Sequence, residues 1–122
     1  MFKLLYKHYW RLEMSKTVVQ VNFELHMPQA EYEAMVEQAA QPIAEVEGLE
    51  WKIFLINEAA QEAGGLYLFE NAAAAGAYLR GPIINALGQH RGIGNPSIKL
   101  FDIQGDPTAV TRGPVGGPVP VK

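Results

Sequence analysis

The sequence predicts an α+β domain of the ferredoxin-like type, with four antiparallel strands in the chain order β-α-β-β-α-β. Three observations predict it. Apolar and polar residues alternate cleanly over Thr17–Leu25. A helix-spaced apolar pattern follows Pro28. Residues 50–70 read as two β-prone segments around a short polar link, with a glycine pair opening the second. Period two argues strands and period 3.6 argues a helix, so the three stretches alone supply β-α-β-β.

In the first strand, Val19, Val21, Phe23 and Leu25 share one face, with Gln20, Asn22 and Glu24 on the other. Pro28 breaks the run. Residues 29–46 form the first helix, because Tyr32, Met35, Val36, Ala39 and Ile43 recur at helical spacing. Pro42 inside it is expected to kink or divide it, and Gly48 to end it. The second strand is Leu49–Asn57 and the third is 64–70. Asn71 offers a cap for an alanine-rich helix over 72–80. Gly81-Pro82 restarts the chain, and Ile83, Ile84 and Leu87 suggest one more short helix. Gly92, Gly94 and Asn95-Pro96 mark a turn before the fourth strand, 97–103.

The chain of 122 residues divides into three parts. Residues 17–104 are the folded domain, long enough for one core. Residues 1–16 carry Lys3, Lys7, Arg11 and Lys16 against Glu13, and are expected to be disordered or to lie upstream of a start at Met14. A short membrane-surface helix is the alternative for them. Residues 105–122 form a tail in which Pro107, Pro114, Pro118 and Pro120 interrupt regular structure. It is expected to drape over the surface or over a partner subunit. The absence of cysteine removes disulfides and a thiol nucleophile. No apolar run reaches transmembrane length. Net charge is −3, and beyond the basic first 16 residues the chain is acidic, which argues against nucleic acid and anionic membranes as partners. A cytoplasmic protein fits this composition.

Strand parity predicts one helix-covered face holding Val19, Val21, Phe23, Trp51, Ile53, Leu55, Leu66, Leu68, Ile98 and Leu100. The other face would carry Phe54, Ile56, Tyr67, Phe69 and Phe101 beside Asn22, Glu24, Lys52 and Lys99. Two helices cover one face of such a sheet, and a free apolar second face is a liability. Packing two sheets face to face in a homodimer resolves it. Asn22, Phe54, Tyr67, Phe69 and Phe101 are the expected interface.

Gly48-Leu49-Glu50-Trp51-Lys52-Ile53, followed by Glu62-Ala63-Gly64-Gly65-Leu66-Tyr67-Leu68-Phe69, resembles the YdhR-like monooxygenases. Leu100-Phe101-Asp102-Ile103 is similar to the closing strand of that family, and the likeness spans about residues 17–104. The resemblance implies a dimeric α+β barrel related to the antibiotic-biosynthesis monooxygenases. It further implies oxygenation of a polycyclic phenol or quinol held between sheet and helices, with no flavin or metal, the substrate supplying the electrons. The implied cofactor list is therefore empty.

Such chemistry needs a pocket for an electron-rich ring, a base for a phenolic or enolic proton, and polar groups for the resulting anion. Trp51 is the expected pocket wall, with a core role for the same ring as the alternative. Phe23, Tyr32 and Arg91 complete the expected pocket. His26 at the end of the first strand and His90 are the candidate bases, since histidine titrates near neutrality; as alternatives both are solvated loop residues. Gly64 and Gly65 precede a strand rather than open a helix, so they do not form a phosphate loop. They are expected to set the hairpin exit or admit a close backbone contact. No metal-ligand spacing is present among His8, His26 and His90. Two functional classes follow: a small cofactor-independent monooxygenase acting on an aromatic or quinol-like metabolite, or a non-catalytic small-molecule binding or stress-response protein on the same scaffold. Isomerisation or decarboxylation of an unstable metabolite is a third.

Overall fold

The computed structural model describes residues 15–116. The expectations for residues 1–14 and for the end of the tail lie outside the described residues. The strands are β1 (Thr17–Leu25), β2 (Leu49–Asn57), β3 (Glu62–Phe69) and β4 (Ile93–Asp102). The helices are α1 (Gln29–Ala44), α2 (Ala72–Leu79), α3 (Pro82–Gln89) and α4 (Gly105–Val110). All strand pairs are antiparallel, in the order β2-β3-β1-β4. This is the ferredoxin-like arrangement that the pattern predicts.

The barrel is not formed. The sheet is open, with β2 and β4 as its two edges and no pairing between them. Closure into a barrel requires the first and last strands of the sheet to pair, and β2 and β4 are separated by both central strands.

The local chemistry explains each boundary. Helix α1 runs through Pro42 and stops two residues later, so Pro42 sits in its final turn. Gly48 follows at φ +84°, and a Cβ there would lie 2.5 Å from the Ala74 Cβ. That position thus requires glycine twice over, for its backbone and for its contact with α2. The Asn71 side chain accepts the Ala74 N–H at 2.8 Å and caps α2. Strand β4 begins four residues earlier than the turn signals suggest. Asn95, at φ +46°, lies where the β1–β4 register shifts, so Gly94-Asn95-Pro96 is a bulge within the strand rather than a turn before it. The tail is also more regular than expected, because 105–110 is helical.

Register overturns part of the parity reading. Val19 pairs with Tyr67, Val21 with Gly65 and Thr17 with Phe69. Tyr67 pairs in turn with Lys52, and Gly65 with Phe54. Paired residues share a face, so Lys52, Phe54, Ile56, Tyr67 and Phe69 lie on the helix side. Tyr67 and Phe69 are 2% and 0% exposed within the helix-side core. They are therefore not surface residues awaiting a partner across the open face, and Phe54 also faces the helices. Trp51, Ile53, Leu55, Leu66 and Leu68 take the opposite face, with Val18, Gln20, Asn22, Lys99 and Phe101. Of the expected interface, Asn22 and Phe101 remain on the open side.

The open face is partly covered. The Trp51 indole Nε1–H donates to the Pro114 carbonyl at 2.7 Å, and Lys16 pairs with Glu50 at 2.8 Å beside Gly116. The segment after α4 thus crosses the sheet next to Trp51. Leu68, on this face, is 0% exposed, whereas Ile53 and Phe101 are each 47% exposed.

Candidate active site

A cavity of about 310 Å³ lies between the sheet and the helices. That is near the lower end of small-molecule pockets, roughly 300–1,000 Å³. Its floor is Val21, Phe23, Phe54 and the Gly64-Gly65 pair, and its roof comes from Met35, Val36, Ala39 and Ile43 of α1. Ile83, Ile84 and Leu87 of α3 close one side. The amphipathic spacing that makes α1 a helix also aims this apolar row at the sheet. Gly65, in register with Val21 and Phe54, leaves the space on the helix side over which the Lys52 chain lies.

Five polar side chains reach this apolar space: Lys52, Tyr32, Tyr67, Tyr78 and His90. The Tyr67 and Tyr78 hydroxyls are 3.0 Å apart and hydrogen-bond to one another. Burial, and the proximity of Tyr78, push the Tyr67 hydroxyl far above the usual phenol range. Burial likewise raises Tyr78 and Tyr32. These phenols stay protonated at any physiological pH. Tyr32 packs edge-on against Phe23, with ring centres 6.0 Å apart.

Lys52 differs from all of them. Its Nζ sits 3.9 Å from the centre of the Phe54 ring and 4.6 Å from that of Tyr67. Among the described residues no acidic side chain lines the cavity. Among the described residues Lys52 has no ion pair. Burial pushes its amine down to about 8. The ring faces favour the cation, but they do not restore the hydration it has lost.

Of the sequence-predicted site residues, the structure brings Phe23, Tyr32 and His90 to the cavity. His90 is exposed at its rim, and its Nδ1 accepts the Gly92 N–H at 2.9 Å. A neutral His90 therefore carries its proton on Nε2 and presents a donor rather than a base. His26 lies elsewhere, donating to Glu24 at 3.1 Å. Glu24 also accepts from Asn95 at 3.0 Å, and that bond, with His26, holds its carboxyl below the usual range. Trp51 is on the far side of the sheet, and Arg91 is exposed and outside the cavity wall. Parity within β2 already groups Lys52 with Phe54 and Ile56; pairing register decides that this group is the one on the helix side. A lysine in register with two apolar neighbours points into a core whenever theirs do.

An open ferredoxin-like sheet roofed by helices, with an apolar cavity between the layers, defines a small α+β protein. Residues 18–114 match the family described as "Putative mono-oxygenase ydhR", and the chain belongs to that family. The fold is shared with SnoaB, a cofactor-independent oxygenase from Streptomyces nogalater, at TM-score 0.62 and 16% identity over 74% of this chain and 94% of that one. A Nitrosomonas europaea protein of unknown function aligns at TM-score 0.61 and 20% identity, covering 90% and 99% of the two chains. MhuD, a heme-degrader from Mycobacterium tuberculosis solved with two hemes, aligns at TM-score 0.54 and 22% identity, covering 71% and 95%. No curated protein matches the chain in sequence. No helix among the described residues is long and apolar enough to cross a membrane.

Proposed function

We propose that the protein binds a small electron-rich ring compound bearing an ionisable phenol or enol and promotes its oxygenation without a cofactor. The observation that carries this reading is the half-buried lysine amine lining an apolar cavity of about 310 Å³. Neutral Lys52 takes the phenolic or enolic proton, and the ammonium so formed stays beside the oxyanion. The electron-rich anion then transfers electrons to dioxygen, and a carbon–oxygen bond forms. Collapse of the peroxide converts a ring CH₂ into a carbonyl and releases water, so one O₂ is consumed per turnover. The Lys52 ammonium returns its proton to the peroxide, and the hydrogen left on that carbon departs with the hydroxide as water, so the amine ends the turnover neutral. The likeness to SnoaB supports the reaction class, and the residues named here are this chain's own.

An oxygen electrode with a panel of anthrones and hydroquinones tests it. Oxygen uptake should track enzyme concentration, and Lys52→Met should lower kcat/KM by about 10² or more. Uptake no faster than the uncatalysed rate, or a Lys52→Met enzyme as fast as wild type, would sink the proposal.

A second reading has its own observation. Among the described residues no carboxylate lines the cavity and Lys52 has no ion pair, so the amine has no acid–base partner of that kind. A binding protein needs no such pair. Ligand binding by calorimetry without oxygen uptake would favour that reading.

The working species in this proposal is a homodimer joined through the open sheet face. Ile53 and Phe101 are large, apolar and half-exposed there, beside a Leu68 already buried by the chain's own tail. A second copy supplies the matching apolar surface. Light scattering at micromolar concentration should give twice the chain mass, and Phe101→Glu should shift it toward monomer. A wild-type monomer would remove the dimer from the proposal.

A further inference from the structure

Oxygenation uses Lys52 as a base and leaves its nucleophilicity unused. We propose that Lys52 is a covalent capture site, its amine condensing with small apolar aldehydes and ketones that enter the cavity to form imines. This proposal does not rest on oxygen chemistry.

The geometry supplies each requirement. The amine lines a cavity whose other walls are almost wholly apolar, so a hydrophobic carbonyl compound is drawn in. No carboxylate in the wall holds the amine as an ion pair. Its low proton affinity leaves roughly a quarter of the groups neutral at pH 7.5, and a desolvated lysine of this kind is an activated nucleophile. Gly65 carries no side chain beneath it; a Cβ there would lie 2.5 Å from Lys52 Cε. The lysine chain therefore lies directly over Gly65, with its amine at the cavity wall. A carboxylate guest would hold the amine as an ammonium ion pair, which is not nucleophilic. A carbonyl guest needs the amine alone.

The step balances without a redox partner. The amine lone pair adds to the carbonyl carbon and gives a carbinolamine. Its hydroxyl then leaves as water, with a proton from the donor side of His90 or from solvent, and a C=N bond forms. Aldehyde and amine become imine and water. The apolar walls limit the return of water to the imine.

The other described lysines offer contrasts. Lys16 is paired with Glu50 at 2.8 Å, and Lys99 is exposed on the open face. The full-length protein is incubated under nitrogen with 2-naphthaldehyde and sodium cyanoborohydride at pH 7.5, then examined by intact mass and peptide mapping. A single early adduct is expected, weighing the aldehyde less one oxygen. It should map to Lys52 and form at least about tenfold faster than any adduct at Lys99. Lys52→Arg should abolish it and Lys99→Arg should not. Adducts spread evenly over the amines would overturn the proposal. So would a first adduct elsewhere, or none under conditions that label a free lysine peptide. Mapping on the wild-type protein decides the matter even if Lys52→Arg fails to fold.

Discussion

Gly64→Val should leave little folded protein, while Gly65→Ala should fold almost normally. Gly64 lies on the interior strand β3, opposite Asn22 of β1 and Leu55 of β2. A Cβ at Gly64 would land on the Val21 carbonyl oxygen, and would sit 2.9 Å from the Val21 carbonyl carbon and 3.0 Å from Asn22 Cα. All three are backbone atoms of β1, which also carries the β4 ladder. No side-chain rotation relieves the clash, so β1 and β3 must part. The cost is about 4 kcal/mol or more, on the scale of severe overpacking, and that is a large share of a small domain's total stability. At Gly65 the added carbon meets the flexible Lys52 side chain, which can move for about 1 kcal/mol or less. Urea denaturation followed by circular dichroism separates the two. A Gly64→Val midpoint close to wild type would show that the two strands can separate without loss of the fold.

The glycine pair was visible in the sequence, but which glycine the backbone pinches was not. The same division runs through the rest of the chain. Alternation within Thr17–Leu25 and helical spacing in α1 determine each element by itself, so element types and order were legible. Which face of β2 and β3 meets the helices depends on pairing register, and both faces of those strands are apolar. The helix-facing set, Phe54, Ile56, Tyr67 and Phe69, is as hydrophobic as Trp51, Ile53, Leu55, Leu66 and Leu68 opposite. Composition gave nothing to choose between them. The glycine at position 65 lets Lys52 lie across β3 on the helix side, a contact between neighbouring strands that no single-strand pattern contains. Trp51 was assigned to the pocket and Lys52 to the surface for this one reason, and they exchange places together. The tail misled differently. Pro107 falls in the first turn of α4, where its missing N–H has no helical partner to lose, so proline there is compatible with a helix.

Lys52→Met should make the protein more stable at pH 7 and remove the rise of its stability with pH. Folded Lys52 loses its proton near pH 8, whereas a lysine in the unfolded chain does so near its ordinary value of 10.5. Between those values the unfolded state binds more protons, so the free energy of unfolding climbs as pH rises. Below about pH 8 both states are charged, and the native state bears the whole cost of enclosing the cation. That cost is on the order of 3 kcal/mol, of which contact with the Phe54 and Tyr67 rings returns part. Wild type should therefore gain about 2 kcal/mol between pH 7 and 9.5. Above about pH 10 the sign reverses, because Tyr32, Tyr67 and Tyr78 keep their protons in the folded state and lose them in the unfolded one. Methionine fills nearly the same volume without charge. Its profile should lack this rise, falling by about 0.5 kcal/mol toward pH 9.5 as the unfolded tyrosines begin to ionise, and should start about 1–3 kcal/mol above wild type. Parallel profiles, or a less stable Lys52→Met protein at pH 7, would mean that the amine reaches water and is not enclosed.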